Sequence, residues 1–309
     1  MTQHDRGWDA NAYPDVTFSA RPALRDPIMI VAFEGWGDAA EAATATIEFL
    51  RDAWDAERFA TIDPEEFYDF TETRPMVRLV NRYERAIDWP VNEFLYASDP
   101  ARDRDVVLLL GIEPNLKWRR FTNQVVGIAR DLGVTTLISI GALLADVPHA
   151  RPARVSVTAT DETLRARLGQ GASRPSRYEG PTGIMSVIQD AFAKAGIRGA
   201  SIWGHAPHYL SAAPNPNVTL GILRRLETLL NLTFDVTELQ EEAESFIAQV
   251  NEAVAQDPEA TSYIHQLETQ SDEDDDEEGE TFRPPPRSSG KGLIHDVEEY
   301  LRRRRASDE

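Results

Sequence analysis

The chain has 309 residues, 41% hydrophobic and 27% charged, with a formal net charge of −20 and no cysteine. Such a chain can bury the core of one large domain or two small ones. The lack of cysteine excludes disulfides, thiolate metal ligands and cysteine nucleophiles, and the acidic balance argues against a nucleic-acid surface, which needs clustered cations.

Residues 1–26 read as an N-terminal arm, with Trp8, Tyr13 and Phe18 as aromatic anchors in a polar segment. Plain disorder is the alternative. Met1-Thr-Gln-His-Asp5 lacks the basic and apolar regions of a signal peptide. No apolar run approaches the roughly 18 residues that span a bilayer, so no membrane span is expected and the cytoplasm is the expected compartment. Residues 28–33 form a first core strand. Glu34-Gly-Trp-Gly37 turns the chain, Asp38 and Glu41 stand at capping-box spacing, and Ala40, Ala43, Ile47, Leu50 and Trp54 mark a helix. A short strand at 59–62 follows, then two alternating stretches, 77–83 and 85–89, that suit an antiparallel pair, and another short strand at 93–97.

The segment 105–152 carries most of the plan. Residues 105–111 are a short apolar run closed by glycine, as in a strand buried on both faces. After a turn, Trp118, Phe121, Val125, Ile128 and Leu132 recur at helical spacing, and 134–143 is a second buried strand. That spacing predicts a right-handed βαβ unit with the two strands parallel. A strand at 155–160, a brief helix at 162–168, a helix from Ile184, a strand at 200–203 and two helices with apolar stripes from Leu220 and Leu239 complete the body. Pro258 separates a last short helix around 263–267.

The folded domain is expected to span 27–268. Residues 269–290 combine the eight carboxylates of 272–280 with Arg283-Pro-Pro-Pro-Arg287, too charged to pack, and read as a disordered linker. In 291–309, Leu293, Val297 and Tyr300 form an apolar stripe before Arg302-Arg-Arg-Arg305. This is a short tethered docking helix with a basic tail, or else a frayed end.

Several polar groups follow predicted strand ends, the edge where open α/β sheets bind ligands and partners. Glu34, Trp36 and Asp38 follow the first strand, Glu113 and Trp118 the central one, and Asp146, His149 and Arg151 the next. Tyr178 and Thr182 precede a helix, and His205, His208 and Tyr209 follow residue 203. Glu113 and His149 suit general acid–base work on a small polar substrate. Each has a structural reading as well: Asp38 as a helix cap, Glu113 as acceptor for amides at a helix start, His149 as a brace for its loop. Pro207 breaks helical ligand spacing between His205 and His208, and no His-Glu-x-x-His pair is present. No metal is expected. With no nucleophile elbow, Walker loop or dinucleotide glycine motif, no cofactor is expected either. Prolines and aromatics in these loops suit a preorganised contact surface; they suit a tightly packed fold equally well.

Phe33-Glu-Gly-Trp-Gly-Asp38, Gly111-Ile-Glu-Pro114 with Trp118, and Gly141-Ala-Leu-Leu-Ala-Asp-Val-Pro-His-Ala-Arg-Pro152 occur in order along the chain. Tyr178-Glu-Gly-Pro-Thr-Gly-Ile184, Pro207-His-Tyr209, Pro214-Asn-Pro216 and Leu267-Glu268 follow them. Together these stretches resemble the proteasome assembly chaperone 2 superfamily over about 27–268. The resemblance implies a three-layer α/β/α fold of the phosphorylase/hydrolase-like class, with no established catalytic residues or cofactor, and chaperones that bind proteasome α-subunits. Relatives that dock through a hydrophobic-Tyr-any residue tail use its free carboxylate, whereas this chain ends Ala306-Ser-Asp-Glu309.

The expectation is therefore an α/β fold with a mixed, largely parallel sheet plus C-terminal helices. The expected function is that of a non-enzymatic assembly factor or scaffold that binds other proteins through its strand-end loops. It is expected to form a homo-oligomer, with a trimer favoured. The alternative is a hydrolase- or ligase-like enzyme using Glu113 and His149.

Overall fold

The computed structural model describes residues 12–98, 103–160, 162–168, 178–211 and 214–276. In chain order its elements are β1 (Val16–Phe18), β2 (Ile28–Glu34), α1 (Ala42–Ala53), β3 (Glu57–Ile62), β4 (Met76–Leu79), β5 (Arg85–Asp88), β6 (Asn92–Ala97) and β7 (Val106–Ile112). There follow α2 (Trp118–Asp131), β8 (Thr136–Ala145), β9 (Val155–Ala159), α3 (Glu162–Leu168), α4 (Ile184–Lys194), β10 (Arg198–Pro207), α5 (Pro216–Leu230), α6 (Thr237–Ala255) and α7 (Pro258–Asp276). Eight strands form one sheet in the order β1-β3-β6-β7-β2-β8-β10-β9, and β4 and β5 form a separate two-stranded sheet. The fold is the expected α/β class with a mixed sheet: β2 and β8 pair in parallel, while β1–β3, β3–β6, β6–β7 and β9–β10 are antiparallel.

One expectation changes. The strands flanking α2 are not neighbours, because β2 lies between β7 and β8 in the sheet. Ile28 to Phe33 of β2 are all buried. A strand apolar on both faces is most stable with a partner on each edge, and a helix of 14 residues easily spans the extra strand.

By its contacts the chain divides into two compact units, each entered more than once. The first comprises the described residues of 12–33, 47–139 and 182–199. Its core gathers Met29, Val31 and Phe33 of β2, Val107 and Leu109 of β7, Phe121, Val125 and Ile128 of α2, and Ile184, Ile188 and Phe192 of α4. The segment read as an arm is tied down. Tyr13 is buried and donates to Asp131 at 2.6 Å, and β1 adds an edge strand to β3. Trp8 lies outside the described residues. Gly111 is required at its place, since a Cβ there would stand 1.9 Å from Asn92 Oδ1 on the paired strand.

The second unit comprises the described residues of 34–46, 140–181 and 200–276. Phe246, Val250 and Val254 of α6 and Ile264 and Leu267 of α7 close a core around Tyr209 and Leu210. Pro258 opens α7 at the position where its missing amide costs nothing, and Asp257 accepts the Glu259 amide at 2.8 Å. This helix runs to Asp276, past the domain end expected at residue 268. It takes in the start of the segment read as linker, because its i,i+4 ladder continues once begun. Residues 277–309, with Leu293, Val297 and Tyr300, lie outside the described residues.

Candidate functional site

In the second unit, Asp38 stands at the head of α1. Its Oδ1 accepts the amides of Ala43 at 2.7 Å and Thr44 at 3.2 Å, and its Oδ2 accepts the Thr44 hydroxyl at 2.5 Å. Burial pushes its pKa up against these hydrogen bonds. The cap therefore forms, but on amides further along than a capping box uses. The intervening turn, Ala39–Glu41, holds Ala40 at φ 53° and Glu41 at φ 54°. Two adjacent non-glycine residues in the left-handed region carry strain that the surroundings must hold. One such hold is visible: the Ala40 carbonyl accepts the Asn215 amide at 3.0 Å. Just before this turn Trp36 is 66% exposed, and Glu34 is exposed at the end of β2.

The loop after β8 is built around a buried imidazole. His149 is 3% exposed. Its amide donates to the Tyr209 hydroxyl oxygen at 2.8 Å, its Nδ1 lies 2.9 Å from the same hydroxyl, and its Nε2 lies 3.0 Å from Asn251 Oδ1 on α6. An amide oxygen can only accept, so Nε2 carries the proton; Nδ1 is then the acceptor for the Tyr209 hydroxyl proton. Burial lowers the pKa of this ring and raises that of Tyr209. Asn217 of α5 donates to the Arg151 carbonyl at 3.1 Å and to that of His149 at 3.5 Å. Both ring nitrogens of His149 and two loop carbonyls thus serve the loop itself.

Asp146 and His208 are brought together, Nδ1 to Oδ1 at 3.1 Å, and Tyr263 of α7 lies 3.3 Å from His208 Nε2. His205 is not in a loop, as its position after residue 203 suggested, but within β10, because that strand continues to Pro207. There its Nε2 lies 2.5 Å from Ser156 Oγ on β9. Tyr178 is half exposed and donates to the Pro181 carbonyl at 2.9 Å. Arg151 is exposed. A cavity of about 30 Å³ is lined by His149, Arg151, Arg154, His205 and Asn217 among others, room for a water molecule where metabolite pockets need several hundred Å³.

Glu113, Trp118 and Thr182 belong to the first unit. Glu113 Oε1 accepts the Ile184 amide at 2.7 Å, at the start of α4. Trp118 begins α2, as its helical spacing predicted, packs on the core and donates its indole N–H to the Pro114 carbonyl. Thr182 is exposed. Sequence reasoning missed Asn217, Asn251, Tyr263 and Ser156. Their signal lay only in strand register and helix phase, since each meets its partner from a distant element.

Among the described residues no three His, Asp or Glu side chains are grouped to hold a metal ion, and no helix is long and apolar enough to cross a membrane. Residues 32–254 match the family model described as the PAC2 family. Among solved structures, a PAC2 family protein from Streptomyces avermitilis is 40% identical over 77% of this chain and 99% of its own, with a TM-score of 0.69. A Mycobacterium tuberculosis protein described as a proteasome-assembly chaperone homologue is 39% identical over the same shares, also at 0.69. Another protein of that organism, described as of unknown function, is 26% identical over 85% of this chain and 92% of its own, at 0.76. No curated protein matches the chain.

Proposed function

The chain belongs to the PAC2 family, and from that premise we propose that it is a self-associating, protein-binding assembly factor rather than an enzyme. Its partner contact is the loop surface of the second unit around Trp36. The observation that carries this reading is the exposed Trp36 beside a turn held in strained backbone. A large aromatic on a prepaid conformation loses little entropy when it binds, and such anchors dominate interface energies. The enzymatic alternative is opposed by the use already made of its two residues: Glu113 receives a helix amide and both ring nitrogens of His149 are engaged. The 39% identical relative described as a proteasome-assembly chaperone homologue points to proteasome subunits as the partner to test.

The test is co-elution of the full chain with purified proteasome subunits of its own organism. The expected result is a complex that Trp36→Ala weakens about tenfold or more, the effect of losing one anchor. Absence of a complex, or equal binding by Trp36→Ala, would overturn the reading.

A further inference from the structure

Pro214-Asn-Pro216 stands between β10 and α5, and its central residue has two tasks. Asn215 is 2% exposed. Its side-chain oxygen accepts the Val218 amide at 3.3 Å and caps α5, the helix that Pro216 opens. Its backbone amide donates outside that helix, to the Ala40 carbonyl at 3.0 Å. The ring of Pro214 fixes the torsion before it, and a residue that precedes proline is held to extended backbone. Asn215 has φ −116° and ψ 93°, as that restriction demands. The corner is stiff, and it is anchored in turn by Asn217, which donates to the Arg151 carbonyl at 3.1 Å.

What this fixed point holds is the turn that carries Trp36. Two tight turns share Asp38: its amide donates to the Gly35 carbonyl and its carbonyl accepts the Glu41 amide, both at 3.1 Å. The first turn is gripped from β8, where the Ala142 amide donates to the Gly37 carbonyl at 2.8 Å. The second contains Ala40 and Glu41 in the left-handed region, which residues with a side chain leave readily. Relaxation of that pair turns the peptides after Asp38 and, through the shared residue, shifts the turn that presents Trp36. The Asn215 amide sits on the carbonyl of the first member of the pair.

We infer that Asn215 is a positioning residue for partner binding: the Pro214-Asn-Pro216 corner clamps Ala40 and Glu41 and so keeps Trp36 in the form that meets a partner. The inference rests on the contact surface around Trp36 named above and deepens it. A clamp acts through the backbone amide and a cap through the side chain, so the two roles separate. Asn215→Gly keeps a residue that caps helices almost as well but frees the backbone. Asn215→Asp keeps both.

The experiment labels the full chain with fluorotryptophan and follows the Trp36 fluorine resonance, identified by its loss in Trp36→Phe. Asn215→Gly is expected to move or broaden it while Trp54, Trp89 and Trp118, all in the first unit, keep their resonances; Asn215→Asp is expected to match the wild type. Adding Ala40→Gly to Asn215→Gly should return the resonance toward the wild type, because glycine holds a positive φ without strain, whereas general damage would grow with a second glycine. In co-elution with proteasome subunits, Asn215→Gly should bind about tenfold more weakly, the result of populating the competent turn roughly one time in ten, and the double variant should recover most of that loss. Should Asn215→Gly fail to fold, Pro216→Ala, which keeps the cap and lifts the restriction on Asn215, is read in its place. A Trp36 resonance that stays put, or that moves together with those of Trp54, Trp89 and Trp118, overturns the clamp, as does a double variant no better than the single one. Absence of any wild-type complex overturns the partner reading and the binding role of Asn215 together. A complex that Trp36→Ala weakens and Asn215→Gly leaves intact overturns the positioning role alone.

Discussion

The His149 loop and the β4–β5 hairpin invert each other's polarity. In the loop, polar groups are buried and each ring nitrogen has a partner. In the hairpin, aliphatic side chains stand in solvent while the Arg78–Asp88 ion pair decorates the opposite face. Burial of an unpaired polar group costs more than its hydrogen bond returns, so a fully engaged histidine is a mark of construction. An ordered apolar face in water has the reverse sign, because covering it is favourable. Polarity against burial, more than residue type, separates a brace from an uncovered apolar face here.

That contrast can be broken most severely on the strand that leads into the loop. Gly141, on β8, faces Trp203, whose ring atoms would stand 2.6–2.9 Å from a Cβ, and the indole N–H is held by Ser201 at 2.9 Å. Gly141→Ala is expected to lower stability by roughly 2–3 kcal/mol through overpacking, read by urea unfolding. An unchanged midpoint would show that Trp203 moves freely.

His149→Ala should cost about 2 kcal/mol by leaving the Tyr209 hydroxyl proton and the Asn251 amide oxygen without their imidazole partner. A catalytic histidine would instead be removed with little change in melting temperature, so a stable variant would return the enzymatic reading to favour.

The same ring gives a pH signature. Its pKa lies below the ordinary value near 6.5 because it is buried, against the pull of Asn251 and the Glu268 charge. As pH falls through 6.5 the unfolded chain takes up the proton and the folded chain does not. Stability present above that pH is therefore lost below it. Melting temperatures between pH 7.5 and 5.5 should fall less steeply in His149→Gln than in the wild type; parallel slopes would mean that the ring titrates normally in the fold.

The smallest effect belongs to the hairpin. Leu79→Asp should change unfolding stability by no more than about 0.5 kcal/mol, since Leu79 is 70% exposed. A loss of 2 kcal/mol would show the face to be part of the monomer's own packing.

Local pattern made much of this legible. The run at 28–33 gave a buried strand and the apolar recurrence from Trp118 gave α2, and alternation found the antiparallel pair that became β4 and β5. Proline and turn chemistry marked the start of α7 but not its end, because α7 continues through a charged stretch whose composition suggested linker. Asp38 was recognisable as a cap, while its choice of Ala43 and Thr44 depended on a left-handed turn that no sequence rule anticipates for Ala40 and Glu41.

By itself the sequence determined periodicity, breaks and caps, all set within a few residues by backbone sterics and solvent. Tertiary structure alone placed β2 between β7 and β8 and brought the Glu113 carboxylate to the amide of Ile184. It also joined His149 to Tyr209 and Asn251, and left Val77, Leu79 and Ile87 uncovered. Those outcomes depend on which distant surfaces meet, and the energy of a contact between residues 60 or 102 positions apart leaves no trace in the order of their neighbours.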